Sequence, residues 1–373
     1  MSGLVVQEWM ESVGGAERVV KSVLNSNTNT QLFCLWSDSQ DPDLQGKMIS
    51  ESWLARTPLA QSKGLALPFM PITWKYSKFK MNPEWVFVSS HLFAHHASLN
   101  PDLRSIPGIN YIHSPARYIW NPDLDDRANN LILKSALPTL RSLDKSRARK
   151  SSYKFVANSQ NVQNRIDEAW GIESEIIYPP VRVRELQDLA RKLSKQPHEN
   201  NLVRGLSLPT EFLIGVGRFI PYKKLDEVIK TAAKMGLPAV LIGSGSLENS
   251  YRQLAAELGV RLFILSGLSD KQVAETIHRS SALVFGGVED FGIVPVEAMA
   301  MGVPVIAKAK GGALETVIDG LGGVLVENFS SDDVVEMALQ AINLPKDRIA
   351  SSVKKFDEAV FLTSINELIG SMS

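Results

Sequence analysis

Short apolar runs alternate with amphipathic stretches along most of the chain, most plainly in its second half. There "FLIGVGRF" (212–219) precedes "LDEVIKTAAKMG", "AVLIG" (239–243) precedes "SLENSYRQLAAELG", and "LFILSG" (262–267) precedes "SDKQVAETIHRSS". "ALVFGGV" (282–288) leads into "PVEAMAMG", and "PVIAKA" (304–309) closes the series. Each apolar run is short and bounded by Gly or polar residues, as a buried strand would be. In "LDEVIKTAAKMG", Leu225, Val228, Ile229 and Ala232 recur at helical spacing and Gly236 ends the pattern. Strands alternating with helices predict an α/β fold with a parallel sheet covered on both faces.

The first half has the same texture with longer interruptions. "GLVVQ", "TQLFCLWS", "WVFVSS", "NYIHS", "KFVANS" and "EIIYPPV" are candidate strands. Most end in a polar residue or Gly, where an open α/β sheet places its ligand crevice. Only two residues precede Gly3, so the first strand reads as short, with its stability as an edge in question. The polar segment 189–209 has no clear partner strand. It follows Pro179 and Pro180, a hinge signal that puts a boundary near 180. This divides the chain into a first domain over 1–180 and a second over 181–355. The tail 356–373 reads as a final helix, free to cross back to the first domain.

Composition narrows the function classes. A length of 373 residues fits two domains, and 44% hydrophobic with 21% charged residues is a globular balance. The 40 Lys and Arg equal the 40 Asp and Glu, which argues against nucleic acid as a partner, since that needs a basic surplus. Cys34, the one cysteine, excludes an internal disulfide and any cysteine-based zinc site; it is expected to be buried, as fits a reducing cytoplasm. The first fifteen residues lack the basic start and apolar core of a signal peptide. No run of about 18 apolar residues exists to span a bilayer. The expected place is the cytoplasm, with peripheral attachment to a membrane left open.

Two segments carry candidate chemistry. In "GVGRFIPYKK" (215–224), Arg218 follows a strand end and Lys223 comes five residues later. A guanidinium fork and an ammonium above a strand end suit a diphosphate, although loop charges of this kind are commonly just solvated. In "EDFGIVPVE" (289–297), Pro295 suits a first helical position, where its missing N–H costs nothing. The backbone N–H groups of Phe291, Gly292, Ile293 and Val294 would then leave the helix start as an anion site. Glu297, half a turn into the helix, could accept two hydroxyl hydrogen bonds from a ribose. Glu289, at the strand end, would point into the crevice. The competing reading makes Glu297 a helix-dipole acid and Glu289 a surface charge, and the segment alone does not choose.

"EDFGIVPVE" resembles the paired-glutamate motif of retaining GT-B glycosyltransferases of family 4. The likeness extends through "EAMAMGVPVIA" and "GGALETVIDG", and back through "GRFIPYKKLDEVI" and "VLIGSGSLENSYRQLA". "EWMESVGGAERVV" resembles that family's glycine loop, and "YIHSPARYIWN" (111–121) a segment of bacterial members assigned as mannosyltransferases. The motifs cover nearly the whole chain in the family's order. The resemblance implies a GT-B architecture: two Rossmann-like domains facing a central cleft, the first on the acceptor side, the second binding the nucleotide-sugar donor. It implies that Gly14 and Gly15 pack against the donor diphosphate, with Glu17 opening the helix after them. Arg218 and Lys223 would neutralise the leaving diphosphate, Glu289 would contact the donor sugar and Glu297 the ribose. His113 would lie near the sugar, and Arg117 and Tyr118 would face donor or acceptor.

The reaction so implied moves a hexose, mannose slightly before others, from a GDP- or UDP-sugar to a hydroxyl of a glycan or lipid-linked glycan. It needs no metal or other cofactor, because fixed positive groups can stabilise the departing diphosphate. UDP-glucose or a related UDP-sugar is the rival donor. A nucleotide-sugar epimerase or an inactive nucleotide-sugar-binding protein on the same fold is the rival function.

Other segments read as decoys. "PDLDD" (122–126) resembles an acidic metal motif of a different transferase fold, but has no strand context. "GSGS" (243–246) lacks the third glycine of a dinucleotide fingerprint. His91, His95 and His96 in "SHLFAHHA" suggest a metal, yet no acidic partner is in sight, which favours packing or capping. "ITWKYSKFKM" (72–81) and the basic "RSLDKSRARKSSYK" (141–154) could touch an anionic membrane, or be plain solvated faces.

Overall fold

The computed structural model describes residues 2–11, 14–27, 29–37, 44–79, 81–120, 131–195, 202–203 and 206–372. The chain forms two compact units, Met1–Pro180 with Glu358–Ser373, and Val181–Asp357.

The first unit is built on a seven-stranded parallel sheet. Its strands are β1 (Gly3–Met10), β2 (Thr30–Ser37), β3 (Ile49–Glu51), β4 (Trp85–Ser90), β5 (Gly108–Ile112), β6 (Lys154–Ala157) and β7 (Glu175–Ile176). Their spatial order is β3-β2-β1-β4-β5-β6-β7. β1 is therefore not an edge: it pairs with β2 and β4, and all eight of its residues are buried. The expected short strand runs on through Gln7 and Glu8, polar residues that read as a strand end. Glu8 stays inside because the backbone N–H groups of Leu92 and Ala94 donate to its carboxylate at 2.9 and 2.8 Å. A buried charge with such donors is tolerable; a bare one is not. Against one face of the sheet pack the helices Gly15–Ser26 and Glu358–Met372, with Val19, Val20 and Val23 joining Phe361 and Ile365 in a common core.

The second unit opens with the helix Val183–Leu193 and a short antiparallel hairpin, β8 (Leu202–Val203) with β9 (Leu206–Ser207), inside the segment that offered no partner strand. Its sheet then comprises β10 (Leu213–Val216), β11 (Ala239–Ile242), β12 (Leu262–Leu265), β13 (Ala282–Phe285), β14 (Val305–Lys308) and β15 (Gly323–Val326), in the order β12-β11-β10-β13-β14-β15, all parallel. β15 escaped the sequence reading because "GLGG" looks like loop. Gly323 has a packing reason: a Cβ there would lie 1.9 Å from the Val305 carbonyl oxygen. The helix Asp226–Met235 ends on Gly236 in the left-handed conformation (φ 66°), as its periodicity predicts.

In both sheets the strand order reverses once, between β1 and β4 and between β10 and β13. At such a switch point the loops leaving two adjacent strands diverge, and a crevice opens at the strands' carboxyl ends. No helix among the described residues is long and apolar enough to cross a membrane.

Candidate functional site

In the second unit, the loops leaving β10 and β13 meet. After Gly217 and the exposed Arg218, the β10 loop makes a single 3-10 turn, Pro221–Lys223, closed by Lys224 in the left-handed conformation (φ 51°). The β13 loop lies directly against this turn. A Cβ on Gly286 would come within 2.9 Å of the Lys224 carbonyl oxygen, and one on Gly287 within 2.9 Å of the Tyr222 carbonyl oxygen. Those contacts are with backbone, which cannot swing aside, so the approach requires glycine at both positions. The result is that the Lys223 ammonium donates to the Glu289 carboxylate in an ion pair, with the two side chains 17% and 22% exposed. Arg218 is tied to the same turn by donating to the Tyr222 hydroxyl at 3.0 Å.

A second glycine pair fixes the rest of the loop. The Gly312 N–H donates to the Glu289 carbonyl at 2.8 Å, and a Cβ on Gly312 would lie 2.4 Å from both Cα and carbonyl oxygen of Phe291. Phe291 is buried edge-on against Phe356, ring centroids 5.2 Å apart. Gly292, at φ 91°, caps the helix Ile293–Ala300. Pro295 is thus the third helical residue, not the first. It is tolerated there because the N–H groups of the opening turn have no intrahelical acceptor anyway. Glu297 is the fifth helical residue, a full turn in rather than half a turn, and is half-buried. Arg218, Lys223, Glu289, the 291–294 backbone and Glu297 therefore occupy connected elements of one unit. Two cations and a helix start supply donors for an anion there, and an ion-paired carboxylate supplies acceptors for hydroxyl groups.

The remaining expected residues lie in the first unit. Gly14 caps the helix Gly15–Ser26 in extended conformation, and the Glu17 carboxylate folds back over that cap: a Cβ on Gly14 would lie 1.9 Å from its Oε2. Burial raises the Glu17 pKa above the ordinary carboxylate value. Ser12 and Val13, in the quoted glycine loop, fall outside the described residues. His113 follows β5; its N–H donates to the Ser90 carbonyl at 2.8 Å, and its Nε2 is 2.8 Å from the Ser89 hydroxyl. Burial, and then the nearby His91, push its pKa down to about 3, so the ring is neutral near pH 7. Arg117 opens the four-residue helix Arg117–Trp120 and is half-buried. The Tyr118 side chain and "PDLDD" lie outside the described residues.

The histidines do have acidic partners, contrary to expectation. His91 Nδ1 is 3.2 Å from the Glu8 carboxylate. His95 and His96 both place Nε2 on one oxygen of Asp144, at 3.1 and 3.0 Å, and all three residues are fully buried. The other Asp144 oxygen accepts from the indole N–H groups of Trp120 and Trp170, at 2.7 and 2.8 Å. His95, His96 and Asp144 have metal-ligand spacing. Three donors already converge on the carboxylate, however, from His96, Trp120 and Trp170, with His95 Nε2 alongside them, and His96 Nδ1 accepts from Arg147 at 3.2 Å, so the cluster is a hydrogen-bond hub of the core. Asp144 was invisible in sequence because it sits 48 residues from His96, inside a run read as a basic face. Gly286–Gly287, Gly311–Gly312 and Tyr222 were also missed; paired glycines after a strand end were the one available signal.

Residues 200–356 match the family model of glycosyl transferases group 1. A GDP-mannose-dependent monoacylated alpha-(1-6)-phosphatidylinositol monomannoside mannosyltransferase of Corynebacterium glutamicum is 29% identical over 208 residues, 52% of this chain and 53% of that one. A D-inositol 3-phosphate glycosyltransferase of Mycolicibacterium smegmatis is 36% identical over 141 residues, 35% of this chain and 32% of its own length. The chain spans about half the length, or less, of the curated relatives it matches. The crystal structure of Anabaena Alr3699/HepE in complex with UDP-glucose superposes over 100% of both chains with a TM-score of 0.72 at 19% identity, a likeness of fold. With two parallel switch-point sheets matched along their full length, the chain has the GT-B fold, and its residues 200–356 carry a glycosyl transferases group 1 domain.

Proposed function

We propose that the chain is a retaining, metal-independent hexosyltransferase that moves a hexose from a nucleoside diphosphate sugar to a hydroxyl of a glycan or lipid-linked glycan. The observation that carries this reading is the convergence of Lys223 on Glu289, beside Arg218 and the Ile293–Ala300 helix start, at the switch point of the second sheet. When the bond between the sugar's anomeric carbon and the diphosphate oxygen breaks, negative charge grows on the diphosphate and positive charge on the ring. Arg218, Lys223 and the helix N–H groups are fixed donors for the first, and such preorganised groups carry much of catalysis in sites of this kind. They supply the charge a divalent ion would otherwise bring. The acceptor oxygen then bonds to the anomeric carbon on the face the diphosphate leaves, and its proton passes to the departing phosphate oxygen. Configuration is retained without a covalent intermediate.

Glu289 holds hydroxyls of the transferred sugar, and Lys223, shared between Glu289 and the diphosphate, links the two. Glu297 holds the ribose. Gly14 and Gly15 pack against the diphosphate, which requires Glu17 to yield its place over the helix start. His113, kept neutral, is suited to exchange a hydrogen bond with a sugar hydroxyl rather than to carry charge. Mannose is favoured by the "YIHSPARYIWN" segment and by the donor named for the corynebacterial relative; the UDP-glucose complex of the Anabaena protein supports the rival.

Calorimetry with GDP, UDP, ADP and TDP and their sugars, with and without magnesium, tests the donor and the metal together; strict dependence on magnesium would refute the Arg218 and Lys223 roles. Donor incubated alone should hydrolyse only slowly, whereas an epimerase would alter the sugar without acceptor. Glu297→Ala should weaken nucleotide binding while Glu289→Ala mainly slows transfer, and equal effects of both on both would end the division of roles.

A further inference from the structure

The segment Ser52–Met81 has a composition unlike the rest of the chain. Its thirty residues contain Arg56, Lys63, Lys75, Lys78 and Lys80 and no Asp or Glu, in a protein whose charges balance at 40 each. Its core-facing side is ordinary: Ala66, Leu67, Met70 and Trp74 are buried in one cluster of the first unit. The outward side is not. Across the consecutive helical turns Lys63–Ala66, Leu67–Phe69 and Met70–Tyr76, the residues Leu65, Phe69, Ile72 and Tyr76 fall at helical spacing and are 65%, 42%, 55% and 64% exposed. Trp53, half exposed, stands edge-on to Phe69 with ring centroids 6.3 Å apart, so it widens the same strip. A helical run that is apolar on both sides belongs in an apolar environment on both sides. Isolated exposed apolar residues are normal, but five in one band are not.

We infer that this band is a docking face for an anionic lipid surface. Its chemistry has the two parts such binding needs, apolar and aromatic side chains to enter the acyl boundary and cations to meet the headgroups. Lys75 is exposed beside the Tyr76 ring, with its ammonium 5.3 Å from the ring centroid, and Arg56 is exposed one turn from Trp53. Lys78 is 84% exposed, with Asp102 reaching it only at 3.8 Å. Lys63 differs, being ion-paired to Glu11. The band is also firmly mounted: Arg147 donates to the Pro71 carbonyl at 2.6 Å, and Asn100 donates to the carbonyls of Trp74, Lys75 and Ser77 at 2.9–3.1 Å. The basic helix Leu131–Lys150 is the weaker candidate for the same role. Two of its cations are spent inside the unit, Arg147 on Pro71 and Arg141 on the Ile119 carbonyl at 2.7 Å.

The test is co-sedimentation of the full chain with phosphatidylglycerol–phosphatidylcholine vesicles and with pure phosphatidylcholine vesicles, without nucleotide sugar, so its outcome is independent of the transferase reading. The wild-type chain should sediment with the anionic vesicles at low salt and much less with the neutral ones. Two kinds of exposed-face variant should fail separately. Phe69→Ser with Ile72→Ser removes insertion, and Lys75→Gln with Lys78→Gln should cut partitioning by roughly thirtyfold, at about fivefold per lost cation. Lys145→Gln with Lys150→Gln, on the other helix, should change little. Circular dichroism and unaltered melting confirm that the variants fold. The inference is overturned if the wild type ignores anionic vesicles at low salt, or if only the helix variants lose binding. It is equally overturned if light scattering shows a dimer that Phe69→Ser with Ile72→Ser dissociates while vesicle binding persists, which would assign the band to a second copy of the chain.

Discussion

Gly312→Ala isolates the packing that holds Glu289. Gly312 has φ −63° and ψ −20°, which alanine adopts freely, so the substitution adds a methyl group and no backbone strain. That methyl group would stand 2.4 Å from the Cα and carbonyl oxygen of Phe291, against 3.4 Å or more for ordinary contact. Either the 289–292 loop or the Gly311–Gly312 turn must retreat by about an ångström, and the 2.8 Å bond from the Gly312 N–H to the Glu289 carbonyl stretches with it. Overpacking of this kind costs about 1–3 kcal/mol, a fall in melting temperature of roughly 2–12 °C for a unit of this size. With Glu289 in the donor-holding role proposed above, a displacement of that size should cost about a hundredfold in turnover. Gly320→Ala is the matched comparison. Gly320 has φ 72° and nothing within 4 Å of a Cβ, so alanine there costs about 1–2 kcal/mol of backbone strain far from any contact with Glu289. Differential scanning calorimetry and donor-hydrolysis rates on both variants decide the matter. The reasoning fails if Gly312→Ala turns over donor like the wild type, or if Gly320→Ala loses activity to the same degree.

Two further outcomes concern the first unit. Asp144→Ala leaves the His96 imidazole and two indole groups without their buried acceptor, and His95 without its neighbouring carboxylate, and should destabilise the unit by about 3–5 kcal/mol; a loss under about 1 kcal/mol in denaturant unfolding would mean that the hub is not what holds this core. Stability should also depend on pH in a definite direction. His96 and His113 have pKa values pushed down to about 3 by burial, from 6.5. Unfolded, they take up protons as pH drops below about 6.5, whereas folded they stay neutral, so their stabilising contribution is present above that pH and lost as pH falls toward 3. Asp144, held below its ordinary value chiefly by His95 against the opposing effect of its own burial, adds a loss below about 4. The unfolding free energy should be flat above about pH 7 and decline below about pH 6, with a slope of about 1.4 kcal/mol per pH unit for each proton taken up. His113→Asn should shallow that slope, and an unchanged profile would contradict the buried, neutral ring.

Sequence by itself determined what repeats locally. The alternation of short apolar runs with 3.6-residue periodicity is enough to give the parallel α/β architecture, because each strand and each helix declares its own buried face. Gly236 ending its helix and β13 closing before Gly286 were readable for the same reason. "EDFGIVPVE" could be read as a strand end turning into a helix, but not where the helix begins, since Pro295 fits any position of the first turn. Tertiary structure alone decided the rest. That β1 is central depends on which strands it pairs with, and Glu8 can sit inside it because donors arrive from residues more than eighty positions away. That Glu289 meets Lys223 depends on Gly287 lying against a turn 65 residues earlier, and that Asp144 gathers two histidines and two tryptophans depends on elements from four parts of the chain. Periodicity reports the face a residue presents; only the fold brings in the group it faces.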